Sequence, residues 1–420
     1  MKLAAAKPVV IALLALALYV PVTMIQGLVA ERQARRDAAV AGIAHGWGAR
    51  QTLAGPYLAV PYRGSRANVL RLPVESITWE LSARASQKAR GIYAARLYTV
   101  TAMARGRLRV PANFGLADAG AAIKWGVPRL VVGVTDPGGI RGVSALVIGG
   151  SEHAFVSGSG DAARLREGVH VPLPGLRAAQ EQTLPFSFSI ELAGSQAFSL
   201  APLGADAGVT MRSSWPHPSF AGRFLPVQHA ISADGFNARW AVSRYAAPGV
   251  AGEQALTVSF VRPVGLYRML ERASKYGFLF IGLTFAAFLL FEQLRRLAIH
   301  PVQYAFVGLA LAMFFLLLTA LSEHIAFGAA YAAATLACTG VVTGYLVRVL
   351  ASRTAGLGFG VALAALYGLL YALLQAEDYS LLGGSLLLFL LLAAVMFGTR
   401  GVDWYRLAAP ASSPATGRAL

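Results

Sequence analysis

Six apolar stretches, each long enough to cross a bilayer, dictate what this chain can become. A helix rises about 1.5 Å per residue, so a hydrocarbon layer of about 30 Å calls for about 20 mostly apolar residues. Inside that layer each backbone N–H and C=O must be bonded within the helix itself. The first stretch runs from Pro8 to Ala30, and the others lie at Tyr276 to Leu294, Val302 to Leu321, Ile325 to Val347, Leu357 to Gln375 and Leu381 to Phe397. Of the 420 residues, 56% are hydrophobic and 14% charged, more apolar surface than one soluble core consumes. Met1, Lys2 and Lys7 give the first stretch the basic start of a signal sequence, but its apolar run is too long for a cleaved one, so it is expected to stay as an anchor.

Lysine and arginine set the direction of the spans, because short loops rich in them remain in the cytoplasm. Arg295 and Arg296 follow the second stretch, Arg348 and Arg353 the fourth, and Arg400, Arg406 and Arg418 the sixth. The intervening turns hold Glu323 with His324, and Glu377 with Asp378, and no Lys or Arg. The alternation predicts cytoplasmic N- and C-termini and an extracytoplasmic middle. Arg32, Arg35 and Arg36 run against it, since they follow the first span and would be translocated; Glu31 and Asp37 partly offset them. The expected layout is an anchor over 1–30, a periplasmic β-rich domain over 31–268, a five-helix bundle over 269–400 and a cytoplasmic tail over 401–420. The expected fold class is therefore a membrane α-helical bundle of six transmembrane helices, one plus five, with a large extracytoplasmic all-β, sandwich-like domain.

Between the anchor and the bundle the pattern changes to Gly, Pro and Ser with period-two alternation. Residues 31–50 could extend the first helix as a stalk. Beyond them, Arg105, Arg107 and Arg109 alternate with smaller or apolar neighbours, and Phe186, Phe188, Ile190 and Leu192 alternate with Ser187, Ser189 and Glu191. Further strands are expected at 57–62, 92–103, 129–135, 143–148, 236–245 and 256–261, with turns at Asp136-Pro137-Gly138-Gly139 and Asp234-Gly235. This predicts a sandwich or a curled antiparallel sheet, and leaves open one large unit or two smaller ones.

The only cysteine, Cys338, rules out an intramolecular disulfide and a cysteine zinc site. The net charge of +17 is spread along the chain without a nucleic-acid-binding motif, and so points to anionic lipid headgroups or envelope polymers as partners. No nucleophile elbow, zinc-protease pair, P-loop or dinucleotide fingerprint is present, and neither an enzymatic activity, a cofactor nor a metal is expected. His153, His170 and His229 lack metal-ligand spacing.

Four residues stand out as candidate binding residues: Trp215, His217, Glu323 and His324. In Trp215-Pro216-His217-Pro218-Ser219-Phe220 two prolines hold the chain extended, either to present Trp215 and His217 as a rigid edge or to bury Trp215 and Phe220 in a core. Glu323 and His324 are an adjacent acid and imidazole at a membrane boundary, while Glu292 closes the second span. Gly340 with Gly344, and Gly356 with Gly360, are spaced for close helix packing.

Several strings together resemble the CreD family of bacterial inner-membrane proteins. They include Gly55-Pro56-Tyr57-Leu58-Ala59-Val60-Pro61, Gly168-Val169-His170-Val171-Pro172-Leu173-Pro174, the Trp215 to Phe220 string with Phe224-Leu225-Pro226, and Glu271-Arg272-Ala273-Ser274-Lys275-Tyr276. In the bundle the resemblance continues through His300-Pro301-Val302-Gln303-Tyr304, Leu321-Ser322-Glu323-His324 and Asp403-Trp404-Tyr405. It implies a Gram-negative inner membrane and a role in cell envelope integrity and envelope stress, and carries over no catalytic residues. Two readings follow. In the first, the periplasmic domain senses, scaffolds or binds an envelope component, either a polymer or a periplasmic or membrane protein. In the second, the chain is a membrane enzyme or transporter acting on lipid or murein intermediates, with Glu323, His324 and His217 at the outer face.

Overall fold

Most of the apolar stretches are helical in the computed structural model, which describes residues 2–64, 67–91, 93–116, 123–177, 179–203, 205–246, 255–260, 266–295, 299–350 and 352–375, with isolated positions 385, 389, 393 and 396. The chain divides into two compact units, one of Met1–Arg35 with Val264–Leu420 and one of Arg36–Pro263.

The first apolar run forms α1 (Lys2–Ala17) and α2 (Tyr19–Trp47), so helix does continue through the expected stalk. The break at Leu18 has a covalent cause. Pro21 has no N–H to offer the Ala17 carbonyl four residues back, while Leu18 N still donates to Leu14 O at 3.0 Å. The remaining helices are α3 (Leu266–Arg295), α4 (Pro301–Ser322), α5 (Phe327–Val349) and α6 (Arg353–Gln375). His300-Pro301-Val302-Gln303 is the start signal of α4: His300 accepts from Val302 N, the Gln303 side chain accepts from His300 N, and Pro301 takes a position where its missing N–H costs nothing.

The expectation of six spans is corrected to four among the described residues: Val9–Trp47, Pro301–Ser322, Phe327–Val349 and Arg353–Gln375 are long and apolar enough to cross a membrane. α3 forms over the expected second span but is not one of the four. Arg268, Glu271, Arg272 and Lys275 charge its first turns, ahead of the apolar run that starts at Tyr276. The expected span at 381–397 lies outside the described residues.

Tyr304, Val307, Leu311, Phe314, Phe315 and Leu318 place a buried stripe along α4 at helical spacing. The anchor packs on this unit through small residues. A Cβ at Gly308 would collide with Leu18 and Phe285, and one at Gly277 would meet Phe315 at 3.1 Å and Val22 at 3.4 Å. Gln26 Nε2 donates to Ser274 O at 3.1 Å. Of the two glycine pairs, Gly356 and Gly360 are packing positions, pressed on Val347 and Thr343 of α5. Gly340 and Gly344 meet nothing within 4 Å among the described residues.

The second unit holds two nine-stranded sheets. Gln51–Arg63 is central to the first, flanked by Arg129–Val134 and Ala197–Ala201, with Ala67–Pro73 and Lys124–Trp125 also paired to it. The second runs Gln228–Ser232, Gly235–Val242, Asp206–Ser213, Ser76–Arg90, Tyr93–Val110, Gln182–Ser195, Leu146–Ile148 and Ser151–His153, with Ile140–Val143 beside Gln182–Ser195. The sheets are mixed rather than purely antiparallel, since Gln51–Arg63 runs parallel to Ala197–Ala201 and Asp206–Ser213 parallel to Ser76–Arg90. Both sheets supply one core. Leu53, Leu58 and Phe198 of the first are clustered with Trp79, Tyr98 and Trp240 of the second, and the Tyr98 and Phe198 rings meet edge to face at 6.3 Å.

Overpacking a tight helix contact typically costs about 1 to 3 kcal/mol. Gly360→Leu should therefore lower the protein's unfolding temperature and its level in the membrane, whereas Gly340→Leu should leave both unchanged. Thermal unfolding of the detergent-solubilised variants, alongside immunoblots of membranes, checks this; equal losses from both would mean that the α5–α6 contact is not tight.

Candidate functional site

Trp215 is 9% exposed and belongs to the hydrophobic core of the β unit. Its indole Nε1 donates to His217 O at 2.7 Å, its backbone N donates to Ser213 Oγ at 3.2 Å, and the Arg96 guanidinium lies 4.3 Å from its ring centre. His217 stands edge-on to that ring at 5.9 Å and is exposed. Phe220 packs on Phe236 and Trp240. The prolines thus turn one side of the segment into core and leave the imidazole in solvent.

The two other family-like strings of this unit meet on one loop. Asp161 has a side chain only 1% exposed. Tyr57 OH donates to its Oδ2 at 2.8 Å, and Arg71 closes a fork on it, Nε to Oδ2 at 2.6 Å and Nη2 to Oδ1 at 2.7 Å. In the same loop Ser159 Oγ donates to Leu165 O, His170 Nδ1–H donates to Gly158 O at 2.6 Å, and Arg129 Nη1 donates to Gly160 O at 2.9 Å. Burial works against the Asp161 charge, but the hydrogen bonds from Arg71 and Tyr57, with the Arg71 charge, outweigh it and hold the carboxyl below the usual carboxylate range. Burial first, and then Asp161 itself, pushes the Tyr57 hydroxyl up, so it remains a donor. His170 is committed to this loop, while His229 lies in the other sheet with its ring 5.5 Å from that of Phe220. Among the described residues no group of three or more His, Cys, Asp or Glu is arranged to hold a metal.

In the helical unit Glu323 closes α4. Its side chain is 9% exposed: Oε2 lies 3.5 Å from Arg32 Nη1, and Oε1 accepts from Tyr267 OH at 3.3 Å. His324 is exposed beside it. Glu292, 4% exposed, accepts from Tyr304 OH at 2.7 Å and from Ile299 N at 3.3 Å. The four predicted residues therefore fall into two pairs in separate units. Within each pair one member is enclosed, Trp215 or Glu323, and the other is open to solvent. Sequence reasoning missed Arg71 and Asp161, and missed Arg32 as the partner of Glu323.

The geometry defines a class: a polytopic α-helical membrane protein bearing a large two-sheet β unit. Residues 3–405 match the family model described as inner membrane protein CreD, and the chain belongs to the CreD family. It is 33% identical over 423 aligned positions to the inner membrane protein CreD of Escherichia coli (strain K12), with 94% of this chain and 92% of that protein covered. Two solved structures of an M1 zinc metallopeptidase from Deinococcus radiodurans, one a mutant with a Tyr-ser-ala substrate bound, are 13% and 12% identical to this chain. They cover 48% and 81% of it and 53% and 96% of their own chains, each at a TM-score of 0.21, too low for a shared fold.

Because the folded-state pKa of Asp161 is depressed, its stabilisation is fully present above the ordinary carboxylate pKa of about 4 and is lost as pH falls through the lower folded value. Asp161→Asn should cost about 2 kcal/mol at neutral pH, by leaving the guanidinium and phenol poorly matched. The gap to the unsubstituted protein should close below about pH 4. Urea unfolding at several pH values measures it; a gap that stays constant into acid would remove Asp161 as its cause.

Proposed function

We propose that this chain is an inner-membrane envelope protein whose β unit stands on the periplasmic side and binds an envelope component, with the helical unit as its anchor. The observation that carries this reading is the contact between Arg32 and Glu323. Arg32 lies on α2 just past the apolar run and Glu323 at the end of α4, so both ends belong on one side of the bilayer. Sign alternation in the loops independently puts the Glu323 turn outside. The β unit begins at Arg36, directly after that contact. Its second sheet presents Arg84 and Arg212, both exposed, which suits an anionic envelope component.

The rival reading, an enzyme or transporter with Glu323 as an active group, gains less from the geometry. A carboxylate held by a guanidinium and a phenol is placed to lock helices together, and His324 points into solvent rather than joining it.

Reporter fusions after Arg268 should be active only outside the cytoplasm, and fusions after Arg400 only inside; cytoplasmic activity from the first would overturn the arrangement. In complementation of a deletion strain, His324→Gln should be tolerated. Glu323→Gln and Arg32→Gln should each weaken the envelope phenotype modestly, in keeping with about 1 kcal/mol for a partly exposed pair. The double charge swap, Arg32→Glu with Glu323→Arg, should recover more function than either single reversal. Full rescue by both single reversals would leave the pair without a role.

A further inference from the structure

The second sheet carries a groove on its exposed face. Strand register builds it: Ala230 pairs with Asn237, Asn237 with Arg212, and Arg212 with Ser82, so four residues form one row across four strands. Side chains alternate along each strand, and the neighbours Leu81, Ala83, Met211, Ser213 and Phe236 are buried, so the row itself faces away from the core. Arg84 is one step further along the same face as Ser82. Ala230 and Ser82 are small, which leaves a hollow of about 520 Å³ closed at one end by the turn through Asp234 and Gly235. Gly235 is required in that turn. Its φ is +138°, and a Cβ there would strike Ser213 O.

Charge distinguishes the hollow from the arginine row of Tyr93–Val110. Arg105 lies 3.8 Å from Glu80, Arg107 lies 3.7 Å from Glu75, and Arg109 lies 2.7 Å from Glu181. Arg84 and Arg212 have no carboxylate partner among the described residues, and both line the groove. The Ser82 hydroxyl and the Asn237 amide add donors, and Asp234 is the one acid in the lining. The hollow is shallow and open to solvent, and its free guanidinium forks are suited to planar or tetrahedral oxyanions.

Resting on the reading of the β unit as a binding domain, we infer that this groove takes a small polar ligand by an anionic group, phosphate or carboxylate. Arg84 and Arg212 hold that group, and Asp234 accepts from a hydroxyl or ammonium of the same ligand. The source is either a lipid headgroup or a soluble ester, which share this chemistry.

The test uses the full chain in nanodiscs of zwitterionic lipid, titrated calorimetrically with phosphorylethanolamine, with N-acetylalanine and with glycerol as the neutral control. At least one anionic probe should bind and glycerol should not. Arg84→Gln and Arg212→Gln should each weaken binding about tenfold, while Arg105→Gln should leave it within about twofold. Asp234→Asn should weaken phosphorylethanolamine and spare N-acetylalanine. Both groove arginines are surface residues, and an unchanged unfolding temperature confirms that each variant is folded; Arg212→Lys, which keeps the charge and loses the fork, serves as a second variant. Loss of probe binding when anionic phospholipid is added to the disc identifies the headgroup as the source, and undiminished binding identifies a soluble ester. Failure of every anionic probe, or an equal loss from Arg105→Gln, would overturn the site. The periplasmic placement fails on the reporter fusions instead, so the two failures are distinguishable.

Discussion

One buried amide governs how the β unit begins. Gln51 is 1% exposed, and its Nε2 donates to Asp136 O at 2.9 Å and Ala193 O at 3.2 Å while its Oε1 accepts from Asp136 N at 3.2 Å. Its backbone N donates to Tyr98 OH at 3.2 Å, and that hydroxyl donates onward to Ala197 O at 2.7 Å. Ala49 N donates to Asp136 Oδ2 at 2.8 Å. Both sheets and the Asp136 turn are thereby tied to the first residue of one strand. That strand, Gln51–Arg63, pairs with four others and is buried on both faces, so a one-residue slip at Gln51 would exchange the residues of its two packed faces. With a single cysteine in the chain, no covalent crosslink can do this, and a fully satisfied polar node in the core does it instead.

The same logic explains why the loop at Asp161 recruits residues from two family-like strings. A carboxylate that is 1% exposed would be costly on its own, so its oxygens are filled by Tyr57 and Arg71, while His170 and Arg129 hold the backbone that carries it. These strings are thus explained by folding. The segment around Trp215 is divided between the two purposes, with the indole in the core and Ser213 and Ser214 at the rim of the groove.

Helices and long strands were legible because their signals are local. Hydrophobic length marked the helices, and period-two alternation marked Tyr93–Val110 and Gln182–Ser195, where Phe186, Phe188, Ile190 and Leu192 are buried as expected. The parallel pairings were not legible, since register between residues 51 and 198 or 76 and 206 leaves no local trace. Nor was Asp161, which sits among Gly and Ser in a stretch that reads as turn punctuation while its partners lie 90 and 104 positions away. The strand Ser76–Arg90 was not expected at all. Ile77, Trp79, Leu81 and Ala83 alternate inward there, but the alternation fades into exposed Ser86 to Arg90.

Arg32 was visible only as an exception, a cation on the side of the first span expected to be translocated, and Glu323 only as an acid that a helix C-terminus does not favour. Each anomaly supplies what the other lacks. The last carbonyls of α4 carry partial negative charge, so a carboxylate at that end is repelled by the dipole, and enclosing it to 9% exposure removes water that would have screened it. A guanidinium at 3.5 Å offsets both effects at once, and Tyr267 OH fills the second oxygen from α3. Three helices, α2, α3 and α4, therefore converge on one carboxylate, and the anchor is held to the rest of the helical unit by charge at its exit as well as by Leu18 and Val22 packed over glycines within it. Two residues that look unfavourable when weighed singly are complementary when paired.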